Sequence, residues 1–443
     1  MIRFNEAGTA AVELAESVAQ EYDSDVIVVR DLLGRNALAI KEIEPARVEE
    51  LRESLREKCS PFVGAEPVIL LSEMFAPELI TESDELRRAP ERIAPSGKVR
   101  VLERSALSSD WIGQPLSRGS SPHRIALYGF KGGVTRSTAT FALAHHLARA
   151  GKVVLVVDLD LESPGITSML APHPYMLPEH GIIDHLVEYP LRNDEDLDLT
   201  VHSMAAGALD GNGEVWLAPA AGTPNPNGDG YLDKLSRVYF DLPADATLDR
   251  NKVTFAERIE AAVLACEKQV AERSRAVDVV LLDSRSGIHD IAAVAITQLS
   301  TLALLFATDN TQTWNGYSQL FSRWGQRLDP ARRDEIRQKL QMVAPLVPKE
   351  YEAYLRRFTD NAQECFARTL YDEPPAGSFQ DVFNFAPSDE SAPHFPIPIR
   401  HIDDLVGLVP GADDGWVSSD VAQLAYGEFV TRVEMMIQES SNV

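Results

Sequence analysis

Between Arg124 and Val157 the chain spells out a strand, a glycine-rich turn, an alanine-rich helix and a second strand, and few folds accommodate that order. Arg124-Ile125-Ala126-Leu127-Tyr128 is a largely apolar run of strand length. Gly132 and Gly133 fall in the turn. A helical stretch follows from about Ser137 to Ala150, and Gly151 sits where a left-handed residue commonly stops a helix. Val153 to Val157 is apolar without interruption, as a strand must be when both faces of its sheet are covered. A strand–helix–strand unit of this length is a right-handed crossover between parallel strands. Strand-like runs recur at Val215–Ala218, Asp278–Asp283, Thr301–Ala307 and Gln341–Val347, with helical stretches at Phe255–Arg273 and Asp290–Leu299 among them. This alternation predicts an α/β fold with a doubly wound, mostly parallel sheet. A last helix is expected over Ser419–Glu439. The stretch Tyr371–Pro398, rich in Pro, Asp and Ser, reads as a surface loop.

Ahead of this region the order of elements differs. Ala7–Glu21 has helical spacing, Asp25–Arg30 is β-rich, Leu33-Gly34-Arg35-Asn36 is turn chemistry, and Ala37–Ile43 reads as the hairpin partner. Pro45 opens a charged helix, Ala46–Lys58, and short strands are expected at Pro67–Leu71 and Lys98–Leu102. Residues Gly113–Pro122 have linker composition. The 443 residues therefore predict a small α/β domain over 1–118, read as a regulatory or partner-binding module, and a larger domain over 119–443.

The turn after the first strand of the large domain has the chemistry of an anion site. A loop entering a helix N-terminus presents free amides, and the helix dipole favours negative charge. Gly132 and Gly133 allow the backbone to approach a phosphate, and the Ser137 hydroxyl is placed to reach a magnesium ion on the β- and γ-phosphates. Lys131 and Arg136 supply positive charge.

Phe130-Lys131-Gly132-Gly133-Val134-Thr135-Arg136-Ser137-Thr138 resembles the deviant Walker A motif of the ParA/MinD ATPases, written KGGxGK[ST], and its KGGVGR variant subset in particular. Val156-Val157-Asp158-Leu159-Asp160 resembles the family's strand ending in Asp-x-Asp, and Val279-Val280-Leu281-Leu282-Asp283 its Walker B strand. The stretches Asp160–Gly165, Pro219–Gly222 and Tyr231–Leu235 resemble the variant subset as well. The likeness spans roughly residues 123–440 and implies a P-loop NTPase fold of the SIMIBI type. It implies a switch that binds ATP and Mg²⁺, forms a homodimer with nucleotide, and hydrolyses ATP weakly. By that resemblance Lys131 through Thr138 bind nucleotide, and Lys131 reaches the partner subunit's nucleotide. Lys131, Arg136 and Asp160 form the catalytic set, with Asp160 placing the attacking water. Ser137, Asp158 and Asp283 hold magnesium. A protein partner is expected through the N-terminal domain.

Two positions depart from the family motif. Arg136 stands where the usual P-loop has lysine, and its planar fork is not equivalent to an ammonium. Thr135 replaces a glycine, and a β-branched residue tolerates positive φ poorly. The loop must therefore either carry strain at Thr135 or adopt ordinary angles there. These departures leave two readings open: an ATPase switch, or a nucleotide-binding pseudoenzyme acting as a sensor or scaffold subunit in a multi-gene bacterial system. The family's adenine-reading Asn has no counterpart in Val343–Pro348, so the base is not specified.

Charge bears on partners. Lys and Arg total 42 against 67 Asp and Glu, a net charge of −25, which weighs against nucleic acid and anionic lipid. Three scattered cysteines, an N-terminus without an apolar signal core and the lack of a long apolar run predict a cytoplasmic protein not attached to a membrane. His145, His146, His180 and His185 lack metal-binding spacing. Asp309–Trp314 follows a strand end on the edge where such sheets bind ligands; Asp309 or Thr311 reads as a helix cap there, with a role near the nucleotide as the alternative. Arg285, two positions after Asp283, has two readings: a cation that senses phosphate or a partner subunit, or an ion-paired loop arginine.

Overall fold

The computed structural model describes residues 2–83, 86, 92–94, 97–104, 110–116, 122–171, 176–203, 212–224, 230–239, 253–373, 382–405 and 419–440. The chain forms two compact units, Met1–Ser109 with Gln326–Arg333, and Asp110–Gly325 with Asp334–Val443.

In the first unit a five-stranded sheet has the order β3-β2-β1-β5-β4, with β1 Val26–Arg30, β2 Asn36–Ile40, β3 Val63–Leu70, β4 Arg92–Ala94 and β5 Gly97–Glu103. The expected hairpin is β1–β2, paired antiparallel from Val26↔Ile40 to Arg30↔Asn36. Its turn is closed by the Asp31 carboxylate, which accepts from the Leu33 and Arg35 amides at 2.9 Å. Helices Phe4–Tyr22 and Pro45–Cys59 cover one face, placing Ala11, Ala15, Val18, Leu51 and Leu55 on Val26, Val28, Leu38 and Ile40. Pro45 takes the first helical position, where its missing N–H costs no bond. A smaller cluster, Ile27, Ala39, Ile80 and Leu102, backs the other face.

The second unit is built on an eight-stranded sheet of order β13-β12-β11-β6-β10-β7-β9-β8. These are β6 His123–Gly129, β7 Val153–Leu159, β8 Val201–His202, β9 Glu214–Ala218, β10 Val279–Ser284, β11 Leu302–Phe306, β12 Leu340–Val347 and β13 Ile397–Arg400. All neighbours are parallel except β8 with β9. Every residue of β7 and β10 is buried, which accounts for their unbroken apolar runs. Helices Arg136–Arg149 and Asp420–Ser440 share one face of the sheet. There Phe141, Leu143, Leu147, Phe429 and Val433 meet Ile125, Leu127, Val156 and Leu281, each large side chain contributing about 1.5–3 kcal/mol by burial. β6 and β7, joined by the first of these helices, are separated in the sheet by β10. The chain ends of β6, β7 and β10 therefore open side by side on the carboxyl edge, where such sheets bind ligands.

The surface-loop reading of Tyr371–Pro398 holds over 382–391, which are irregular and half-buried or exposed, and needs correction at its two ends; residues 374–381 lie outside the described residues. Tyr371, Ala392 and His394 are buried, Asp372 takes both Arg337 guanidinium nitrogens at 2.8 and 2.9 Å, and Ile397 and Pro398 open β13. Polar composition misled here because Arg337 and His394 satisfy the Asp372 and Tyr371 groups inside the fold. Residues 117–121 of the expected linker also lie outside the described residues, whereas Trp111 is buried and its carbonyl accepts from Trp324 Nε1 at 2.7 Å. No helix among the described residues is long and apolar enough to cross a membrane. All three cysteines are buried thiols.

Candidate functional site

The loop Phe130–Thr135 leaves β6 and enters helix Arg136–Arg149. Gly133 has φ 73°, and Thr135, at the N-cap, has φ 56° and ψ 17°. The loop thus adopts the left-handed angle at a β-branched residue, a conformation that costs about 1–3 kcal/mol. No atom lies within 4 Å of where a Gly133 side chain would stand, so the loop faces open space there. Among the described residues no backbone carbonyl accepts from the amides of Lys131 through Thr138. That row of donors at a helix N-terminus is an anion cradle. The Tyr426 phenol, from the last helix, lies beside the Thr135 and Thr138 side chains.

β7 and β10 bring the acidic residues under the loop. Asp158 and Asp283 are register partners on these adjacent strands, and both are fully buried. The Ser137 hydroxyl donates to Asp283 Oδ2 at 2.7 Å, and Thr140 Oγ1 lies 3.3 Å from Asp283 Oδ1. Asp158 accepts from the Asp160 amide at 3.1 Å and from the Thr167 amide and hydroxyl at 3.1 and 2.7 Å. Burial, with the neighbouring Asp283 charge adding to it, pushes the Asp158 carboxyl up to about 7.

Arg136 is turned inward. Its Nε donates to Asp283 Oδ1 at 2.9 Å and its Nη2 to Asp160 Oδ2 at 3.2 Å. Burial pulls the guanidinium pKa down, but Asp283 and then Asp160 more than offset this and hold it above its ordinary value. Asp160 also accepts from Ser163 Oγ at 3.2 Å. Lys131 is half-buried and makes no ion pair among the described residues.

The structure thus gathers Arg136, Ser137, Asp158, Asp160 and Asp283 into one contact network, with Lys131 through Thr135 forming its rim. Ser137 with Asp283 pairs a hydroxyl with a carboxylate, a donor set suited to a divalent cation that also takes oxygens from a nucleotide's phosphates. Asp158 stands beside them with its oxygens committed to Thr167 and Asp160. Among the described residues no group of three or more His, Cys, Asp or Glu could hold a metal ion without such a ligand.

A second cluster borders the first. Glu162 forms an ion pair with Arg285, accepts from the Tyr239 hydroxyl, and lies 3.4 Å from His289 Nε2. The Tyr231 hydroxyl donates to the Leu161 carbonyl. Arg285 was visible in the sequence as a candidate, but its partners were not, since no local pattern ties Tyr239 to Glu162 across 77 positions. His146 is occupied by Glu434 at 2.7 Å. The cap expected of Asp309 or Thr311 falls instead to Asn310, whose Oδ1 accepts from the Thr313 amide at 3.0 Å, while Asp309 closes a network with Trp314, Arg357 and Asn361 at 2.6–2.9 Å.

A family model described as an AAA domain matches residues 123–171. No curated protein matches the chain's sequence. Solved structures similar to it include pNOB8 ParA bound to nonspecific DNA, at 12% identity and TM-score 0.43, covering 73% of this chain and 99% of that one. The MinC:MinD cell division complex of Aquifex aeolicus matches at 15% identity and TM-score 0.40, covering 70% and 95%. A complex of a Cyanothece McdA variant with ATP matches at 13% identity and TM-score 0.40, covering 73% and 98%.

Proposed function

We propose that this protein is a ParA/MinD-type nucleotide switch whose second unit binds ATP with Mg²⁺ on the loop Lys131–Thr138. The observation that carries this reading is the row of amides from Lys131 to Thr138 without carbonyl partners, placed directly above Ser137 and Asp283. In this reading the amides and Lys131 take the phosphate oxygens, and Ser137 and Asp283 hold the metal, with Asp158 behind them. A bound metal would neutralise phosphate charge beside carboxylates that otherwise repel it. Residues 1–118 serve as the regulatory or partner-binding module, and dimerisation with nucleotide, through Lys131, belongs to the same proposal, as does a cytoplasmic location. The expectation against nucleic acid rested on net charge alone and gains no support, because one similar structure is of a ParA bound to nonspecific DNA.

A specific observation favours a second reading, nucleotide binding without turnover. Asp160, the residue given to water placement by the family resemblance, is paired with Arg136 at 3.2 Å. With one oxygen on Arg136 and the other on Ser163, that carboxylate is engaged and not free to orient a water. Titration calorimetry with ATP, ADP and GTP in the presence of Mg²⁺ tests the shared premise: binding of none of them refutes it. Phosphate release by the wild type, lost on Asp160→Ala, decides for the ATPase; tight binding with no release decides for the pseudoenzyme.

A further inference from the structure

Two arginines meet the acidic edge of the site, and they are held very differently. Arg136 is buried between Asp160 and Asp283. Arg285 is tied to Glu162, with side chains 32% and 21% exposed. Glu162 lies two residues beyond Asp160, and Arg285 two beyond Asp283, so both partners ride on the segments that line the site. The Arg285 loop also lies directly against the anion cradle. The Gly287 amide donates to the Gly129 carbonyl at 3.1 Å, and the Tyr128 hydroxyl donates to the Gly287 carbonyl at 3.1 Å. A side chain added at Gly132 would come within 3.6 Å of Ser286 Oγ. Arg285 is therefore anchored at its backbone beside the cradle while its guanidinium points to Glu162.

The Glu162 oxygen that faces Arg285 is buried and takes no hydrogen bond, so the pair is held by charge alone, and solvent on the 32%-exposed Arg285 side screens that attraction while two side chains must stay ordered. A phosphate offers the same guanidinium two parallel charge-assisted bonds. The His289 imidazole and Tyr239 hydroxyl already address the same Glu162 carboxylate, so Glu162 keeps polar partners when Arg285 leaves.

We propose that Arg285 reads the terminal phosphate of a bound nucleoside triphosphate, and that Glu162 is the resting partner from which it is released. The assignment rests on the nucleotide reading above and adds discrimination between triphosphate and diphosphate. A diphosphate leaves Arg285 on Glu162, whereas a triphosphate places a bidentate anion within its reach. Glu162, His289 and Tyr239 act as positioning residues.

The test is titration calorimetry of the full chain with Mg-ATP and Mg-ADP. Arg285→Ala should weaken ATP by about 10-fold or more, the loss of a charged hydrogen bond, and leave ADP within about twofold. Arg285→Lys, which keeps the charge without the fork, should fall between the wild type and alanine. Glu162→Gln preserves shape and removes the competing charge, so it should tighten ATP about two- to fivefold without changing ADP. A merely structural Arg285 would shift ATP and ADP together, and that result, or no shift in either, overturns the assignment while leaving nucleotide binding intact. Binding of neither nucleotide by the wild type refutes the nucleotide reading itself and this inference with it.

Discussion

Arg136→Ala isolates the largest electrostatic commitment in the site. The guanidinium makes two charge-assisted bonds, to Asp283 at 2.9 Å and Asp160 at 3.2 Å, and both carboxylates are nearly sealed from water. At about 1.5–3 kcal/mol for each such bond, the two together amount to about 3–6 kcal/mol. Breaking a buried pair from one side independently suggests about 3–5 kcal/mol, because the abandoned carboxylates stay buried. Asp283 keeps Ser137 and Thr140, and Asp160 keeps Ser163, so a loss of about 4 kcal/mol is expected. For a unit of about 330 residues that loss lowers the melting temperature by about 6 °C. Calorimetric melting in metal-free buffer at pH 7 measures it. Millimolar Mg²⁺ should restore part of the loss by supplying the missing positive charge, and should do less for the wild type. The neutral combination Arg136→Met, Asp160→Asn, Asp283→Asn should recover most of the stability, since the cost lies in unpaired charge and not in volume. A melting temperature unchanged within 1 °C by Arg136→Ala, in a unit of the size above, would mean that Arg136 does not hold these carboxylates in solution, and the reasoning fails.

Three further outcomes follow from the geometry. Thr135→Gly relieves a left-handed angle at a β-branched residue but adds freedom to the unfolded chain, so it should stabilise by about 0.5–1 kcal/mol in a denaturant titration. Lys131→Ala should leave the melting temperature within about 1 °C, as expected for a half-exposed residue, yet abolish ATP-dependent self-association in sedimentation velocity runs. Asp309 has its carboxyl pushed up by burial but lowered further by Trp314, Arg357 and Asn361, for a net depression. Its folded pKa lies below the unfolded value, so its contribution is complete above about pH 4 and is lost as pH falls through the folded value. Asp309→Asn should therefore cost about 1 kcal/mol at pH 7, discounted for the exposed Arg357, with the two stability curves converging in acid.

What could be read from the sequence was set by local chemistry. β6, β7 and β10 are continuous apolar runs closed by glycine or aspartate, and the cradle glycines and Ser137 stand in a spacing that only a strand-to-helix turn explains. Thr135 was visible as the position in question, with strain or ordinary angles both open from the sequence, and the structure adopts the left-handed angle. The direction of the Arg136 side chain was not. Its partners lie 24 and 147 positions away, and only the pairing of β10 with β7 decides that two carboxylates wait beneath it. The Glu162 cluster stayed hidden for the same reason. β13 was missed because it is four residues long, contains Pro398 and lies on an edge, where a missing N–H carries little cost.

The placement of β10 between β6 and β7 has a consequence for how the protein comes into being. Residues 123–171 look like a self-contained module, but their two strands never touch; the sheet leaves a slot between them that a strand made more than a hundred residues later must fill. A nascent chain that has reached only the first two strands can display the cradle amides but lacks Asp283 to receive Ser137 and Arg136. Excising the module would thus yield a fragment with an open groove, two strands unpaired on both edges and an Arg136 that keeps Asp160 but lacks Asp283, a candidate for aggregation and not for nucleotide capture. Assembly of the site is a long-range event, and it coincides with closure of the sheet rather than preceding it.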